Sequence, residues 1–257
     1  MSRSTDEIPA PRMVPRRPGT FAVMLAVALL AWPSLTTAAG NVTVRFVRGM
    51  LRVTGDAEDN KIALVSEGVG QVEVGSFDPA GTLNHVMGGT FVAEGVRDVI
   101  VSLGAGDDWI NLLDVHAPGV LRLDTGRGND TINGQDTGAG TLQILTGPGD
   151  DTIGWDGGGC KSLKISTGAG TDDLSLSAFN VDGDTFIDMG SGSDRFESFV
   201  QTFGGRVKVL VGTGDDTIAM DSSTFKGPAT FDGGRGSDTF DPHHCTFDAG
   251  VTSKNFP

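Results

Sequence analysis

The chain has 257 residues, 33 acidic against 19 basic side chains, a formal net charge of −14, 39 glycines, two cysteines and no tyrosine. That charge argues against nucleic acid or an anionic membrane surface as partner. The glycines follow no collagen period, and the length suits one elongated domain rather than a repeat array plus a separate catalytic domain of usual size.

In chain order, Arg12, Arg16 and Arg17 precede an apolar run at 21–32, which Pro33 and the small residues TTAAG follow. This is the order of a secretory signal peptide, spanning 1–39 and cleaved after Ala38 or Ala39. The run is shorter than the roughly 18–20 apolar residues of a membrane anchor. Without residues 1–39 the chain keeps 15 basic and 31 acidic side chains, a net charge of −16. The expectation is an exported protein, secreted or held in the cell envelope, with no membrane span once the leader is gone.

Residues 40–102 read as irregular β coils that cover one end of the domain. NVTVRFVRGMLRVTG and DVIVSL have strand alternation, and GDAEDNKIAL at 55–64 resembles a degraded turn with Asp59 as its acidic residue.

From 103 to 241 one element recurs: LGAGDDWI, TGRGNDTI, TGPGDDTI, TGAGTDDL, MGSGSDRF, VGTGDDTI and GGRGSDTF. Its first glycines are Gly104, Gly126, Gly147, Gly168, Gly190, Gly212 and Gly234, in steps of 22, 21, 21, 22, 22 and 22 residues. A fixed period near twenty marks a stacked array. Upstream of each element apolar residues alternate, as in Leu121/Leu123/Thr125, Leu142/Ile144/Thr146, Leu163/Ile165/Thr167 and Val207/Val209/Val211. Six positions after the first glycine an apolar residue returns (Ile110, Ile132, Ile153, Leu174, Phe196, Ile218, Phe240) and opens a second short strand. Strand, turn, strand and return loop, stacked with copies parallel, predict an all-β parallel β-solenoid of about seven coils with irregular capping ends. The cross-section is either a two-sheet β-roll or a narrow right-handed β-helix. Residues 242–257 read as a C-terminal cap or tail.

The turn explains the pairing of glycine with aspartate. Positive φ suits Gly104 and Gly106, Gly126 and Gly128, Gly147 and Gly149, Gly168 and Gly170, Gly190 and Gly192, Gly212 and Gly214, and Gly234 and Gly236. Four positions after each first glycine stands an aspartate: Asp108, Asp130, Asp151, Asp172, Asp194, Asp216 and Asp238. Stacked at about 4.8 Å, these carboxylates form one column, and unit charges about 5 Å apart repel by roughly 3 kcal/mol at an effective dielectric of 20. Asp107, Asn129, Asp150 and Asp215, one position earlier, add oxygen. A hard cation relieves the repulsion, and Ca²⁺ takes six to eight oxygens from carboxylates and backbone carbonyls. Against this stands simple capping, in which each Asp accepts backbone N–H bonds. Asn would serve that role nearly as well, yet it occupies none of the seven positions, although Asn129 stands next door.

Gly233–Asp241 fits the complete Gly-Gly-x-Gly-x-Asp-x-hydrophobic-x nonapeptide, and the other six elements lack only its leading Gly. Over residues 103–241 the chain therefore resembles the repeats-in-toxin (RTX), or haemolysin-type, calcium-binding proteins. The resemblance implies a parallel β-roll with Ca²⁺ held between neighbouring turns by the aspartates and glycines named above. The chain departs from the family in carrying the motif once per coil and in its N-terminal signal. The family's lytic part has no counterpart here.

Other constellations carry less. Asp241, His243, His244 and Cys245 would suit a transition metal, or are exposed cap residues; His85 and His116 are isolated. Cys160 and Cys245 fall four coils apart, roughly 19 Å at strand spacing, too far for a disulfide, and are expected to be free or bridged between molecules. Arg122, Lys164 and Lys208 share an outward column, the basis for an alternative as a pectate-lyase-like enzyme on acidic polysaccharide; Ile100, Gln143, Phe186 and Thr230 interrupt it. The reading favoured by these residues is a non-catalytic, calcium-binding structural or adhesive protein. Its partners would be calcium ions and a cell-surface or matrix polysaccharide or protein.

Overall fold

The computed structural model describes residues 40–68, 70–78 and 81–257; the signal peptide expected at 1–39 lies outside them. The described residues are all-β, without helix, and wind as a parallel β-solenoid whose successive coils pair 21 or 22 residues apart.

Three ladders run along the solenoid. The first stacks the strands that lead into each turn and aligns Leu51, Val99, Leu121, Leu142, Leu163, Thr185, Val207 and Ala229. The second stacks the strands that leave the turn and aligns Ile62, Ile110, Ile132, Ile153, Leu174, Phe196, Ile218 and Phe240. Period-two alternation turns these residues inward, where all but Phe240 are buried. Each buried Val, Leu, Ile or Phe among them contributes about 1.5–3 kcal/mol by leaving water.

The third ladder was hidden in the return loop, whose strand stretches of about two residues are too short for alternation to be read. It aligns Ala117, Ala139, Cys160, Val181, Phe203, Phe225 and Phe247. Phe203, Phe225 and Phe247 stack face to face, with centroids 4.9 and 4.7 Å apart. Where this column is small, the second ladder compensates: Trp155 is buried and fills the space that a side chain at Gly134 would need. The three ladders resolve the cross-section as three-sided. Between the second and third ladders the chain bends through a left-handed residue in each of the seven coils after the first: Asp114, Asp136, Gly157, Ala178, Val200, Ser222 and His244, with φ from 48° to 75°.

The N-terminal region is one true coil with an excursion, rather than several irregular coils. Strand β1 (Asn41–Val47) pairs antiparallel with β2 (Met50–Thr54), and β2 stacks parallel on Asp98–Ala105. After the turn, β3 (Lys61–Gly68) stacks parallel on Trp109–Leu113. The chain then leaves through β4 (Gln71–Ser76), β5 (Thr82–Leu83), β6 (Val86–Met87) and β7 (Thr90–Glu94), with β3, β4 and β7 antiparallel in series. Antiparallel β1 and β4 cover edges that parallel stacking would leave open. At the other end, residues expected to be a cap or tail add further strands: Thr246–Phe247 and Val251–Lys254 extend the ladders, and the Phe256 ring lies 5.3 Å from Phe240.

Candidate metal centre

The turns fix the backbone first. Both glycines of every element have positive φ, from 80° to 148°. A Cβ at Gly126, Gly147, Gly168, Gly190, Gly212 or Gly234 would overlap the carbonyl oxygen of the corresponding glycine one coil before. The same holds for Gly128, Gly149, Gly170, Gly192, Gly214 and Gly236. Only glycine therefore permits these turns to stack at strand spacing, and the stacking lines glycine carbonyl oxygens along the edge.

The seven aspartates are brought into one file. Asp108, Asp130, Asp151, Asp172, Asp194, Asp216 and Asp238 are each 1–2 % exposed. The file lies inside the turns, not on an outward edge. One oxygen of each carboxylate reaches back one coil: the N–H groups of Asp108, Asp130, Asp151, Asp172, Asp194 and Asp216 donate to the Oδ1 atoms of Asp130, Asp151, Asp172, Asp194, Asp216 and Asp238 at 2.8–3.0 Å. Asn60 N–H donates in the same way to Asp108 Oδ1 at 2.7 Å. Charge-assisted bonds of this kind are worth about 1.5–3 kcal/mol.

Beside this file runs a second, exposed one that reaches forward. Asp107 Oδ1 accepts from Asn129 N–H, Asn129 Oδ1 from Asp150 N–H, Asp150 Oδ1 from Thr171 N–H and Asp215 Oδ1 from Ser237 N–H, at 2.7–2.8 Å. Ser193 Oγ accepts from Asp215 N–H at 3.4 Å. The turns at Asp108, Asp130, Asp151, Asp172 and Asp216 are capped from both sides, the turn at Asp194 only through the inner file and the last only through the outer, so capping is a demonstrated role of both files.

Capping leaves the inner file half-explained. The Oδ2 atoms of all seven inner aspartates are buried and have no hydrogen-bond partner. The hydroxyls of Thr125, Thr146 and Thr167, which lie close by, donate to carbonyl oxygens of the next coil at Thr146, Thr167 and Met189. Burial drives the carboxyl pKa values upward, to about 8 for Asp108, about 7 for Asp151 and Asp194, and about 6 for Asp130 and Asp216; Asp172 shifts the same way. Opposing the rise are first the nearby hydroxyls of Thr125, Thr146 and Thr167 at Asp130, Asp151 and Asp172, then backbone N–H bonds in each case, while neighbouring carboxylates add to it. A buried negative oxygen without a partner is costly, and either a proton or a cation relieves it.

The first turn corrects the sequence reading. Asn60, rather than Asp59, occupies the inner file: it is 1 % exposed and bonds Asp108. Asp59 stands in the outer file, accepting from Asp107 N–H at 2.9 Å. Asn is thus accepted in the inner file at its N-terminal end. The 49-residue step from Gly55 to Gly104 had obscured this register, because the β4–β7 excursion separates two coils that stack directly.

Arg122, Lys164 and Lys208 do share the outward face of the first ladder, two coils apart. Arg122 is ion-paired to Asp124 at 2.9 Å, and Lys208 Nζ lies 5.7 Å from the Phe186 ring centre. His116 Nδ1 lies 2.9 Å from the Asp114 carbonyl oxygen, and His85 sits in a tight turn at φ 64°. Cys160 is buried, Cys245 is partly so, and both are free. His243 and His244 come together, but with Asp221 of the preceding coil rather than with Asp241. That grouping escaped the sequence because its carboxylate lies 22 residues before His243.

Comparison with family models, curated proteins and solved structures returned no match to this chain. The RTX resemblance stands on the repeated residues alone.

Proposed function

We propose that this is an exported calcium-binding β-solenoid of the RTX type, with a structural or adhesive role outside the cell. One observation carries the reading: seven stacked carboxylates each keep one buried oxygen without a partner. Asp108, Asp130, Asp151, Asp172, Asp194, Asp216 and Asp238 would hold the ions through these oxygens, together with glycine carbonyl oxygens of the same turns. The donors are all hard oxygens, as Ca²⁺ requires. Bound calcium supplies positive charge where burial otherwise forces carboxyls toward the protonated form.

The chain's own residues do the rest. The glycine pairs let the turns approach, the Oδ1 bonds orient each carboxylate, and the apolar ladders set the repeat. Because the file exists only when coils are stacked, ion binding and folding are one equilibrium. Such a chain stays loose where calcium is scarce and sets where it is plentiful; extracellular calcium modules work at about 10⁻⁴–10⁻³ M. The folded product is a rod that repeats its outward side chains at strand spacing, for example Thr131 beside Thr152 and Thr217 beside Thr239. A repeated surface suits multivalent adhesion to a polysaccharide or protein matrix. Calcium titration of the chelator-treated chain, followed by circular dichroism, tests the reading. A cooperative gain of β signal supports it, and a spectrum indifferent to calcium up to the millimolar range removes it.

A further inference from the structure

We propose a second, separate metal site for a borderline transition cation such as Zn²⁺, made by Asp221, His243 and His244. Their ligand atoms all lie within 4.8 Å of one another. Asp221 Oδ1 lies 3.5 Å from His243 Nδ1 and 3.2 Å from His244 Nδ1. In tetrahedral zinc sites with bonds of about 2.0–2.1 Å, neighbouring ligand atoms stand about 3.3 Å apart. Both measured edges match that figure, and the donor set of two imidazoles and a carboxylate suits zinc over calcium.

The fold holds this group in place without an ion. Asp221 and His243 are register partners on adjacent coils. The next residues, Ser222 and His244, are the left-handed corners of those coils, with φ of 55° and 52°. Ser222 N–H donates to the His243 carbonyl at 3.1 Å, clamping the corners together, and Ser222 Oγ donates to Asp221 Oδ1 at 3.0 Å. The corner bend brings two successive histidines to one carboxylate; their ring centres, 3.7 Å apart, must spread to about 5 Å to bind one tetrahedral ion, a rotation open to exposed side chains. All three side chains are solvent-accessible, so an ion can enter and water can complete its shell. Cys245 is turned elsewhere, its Sγ 3.4 Å from the His243 carbonyl oxygen.

The site shares no residue with the inner carboxylate file, so it is tested in saturating calcium. The purified chain is titrated with zinc chloride by calorimetry, beside the variants His243→Ala, His244→Asn and Asp221→Asn. Asn tolerates the left-handed corner, which keeps the second variant folded. The expected result is one equivalent of zinc, bound at or below about 10 μM. Each variant should bind at least about tenfold more weakly while keeping the parental melting midpoint. A control with both His85→Ala and His116→Ala should bind as the parent does. The proposal fails if the parent takes up no zinc in this range, if the three variants bind as tightly as the parent, or if the control loses binding.

Discussion

The two files of turn residues sit side by side and meet different demands. The outer file is exposed and holds Asp107, Asn129, Asp150, Thr171, Ser193, Asp215 and Ser237, a mixture of short polar side chains. The inner file is buried and is Asp in all seven complete elements. Both cap N–H groups, and the outer file shows that Asp, Asn and Ser can all do that work. What Asp adds over Asn in the inner file is a second oxygen able to carry charge, and that is the oxygen left without a partner. Asn60 sharpens the contrast. It stands at the end of the file, where a neighbouring carboxylate lies on one side only.

The largest effect should come from removing calcium. A single ion at a hundred times its dissociation constant contributes about 2.7 kcal/mol, and each kcal/mol moves the melting midpoint of a chain this size by about 2–4 °C. Several sites together should lower the midpoint by at least about 10 °C in chelator, measured by thermal melts. An unchanged midpoint would reduce the inner file to capping.

Next, Asp172→Ala should cost about 1–3 kcal/mol in chelator, because the buried Asp151 N–H loses its acceptor, and about 2 kcal/mol more in calcium, where a ligand oxygen is lost as well. Asp172→Asn keeps an acceptor and removes the charge. It should cost about 2 kcal/mol in calcium and nothing in chelator, by denaturant titration. Equal costs in both conditions would mean that the second oxygen does nothing for calcium.

Proton linkage gives a third, smaller handle. Folded pKa values of about 6 to about 8 stand against 3.8 for the unfolded chain. The folded state therefore keeps protons that the unfolded one has released, and this stabilisation is complete below about pH 4 and lost as pH rises through 6–8. In chelator the melting midpoint should rise as pH falls from 8 to 5. In calcium the trend should flatten or reverse, since protons and ions compete for the same oxygens. The smallest effect belongs to the outer file. Asp150→Ser, which copies the residue found at 193 and 237, should change stability by about 0.5 kcal/mol or less in either condition.

The repeat made much of this legible. Seven phased glycine pairs give the period, the alternation before them gives the first ladder, and the apolar return at Ile110 through Phe240 gives the second. Parallel stacking then places the aspartates in one file. The rest depends on contacts the local pattern does not encode. Ladder stretches of about two residues leave no alternation to read, though the recurrence of Thr-Phe at 202–203, 224–225 and 246–247 marks them once the period is known. The corners at Ala178 and Val200 carry no turn-forming residue type, because the stacked coils on either side impose their backbone. The inward direction of the inner file also escaped, since spacing alone does not tell which side of a turn a carboxylate occupies.

The opposed reach of the two files has a mechanical consequence. Every interior turn but the one at Ser193 is tied backward by a carboxylate and forward by its neighbour's short polar side chain, so it cannot swing free without breaking bonds to both adjacent layers. Rupture in the middle of the rod is thereby disfavoured relative to peeling at a terminus, where one set of ties is missing. Under load along its axis the molecule should unzip layer by layer from an extremity, giving a sawtooth with one tooth per turn.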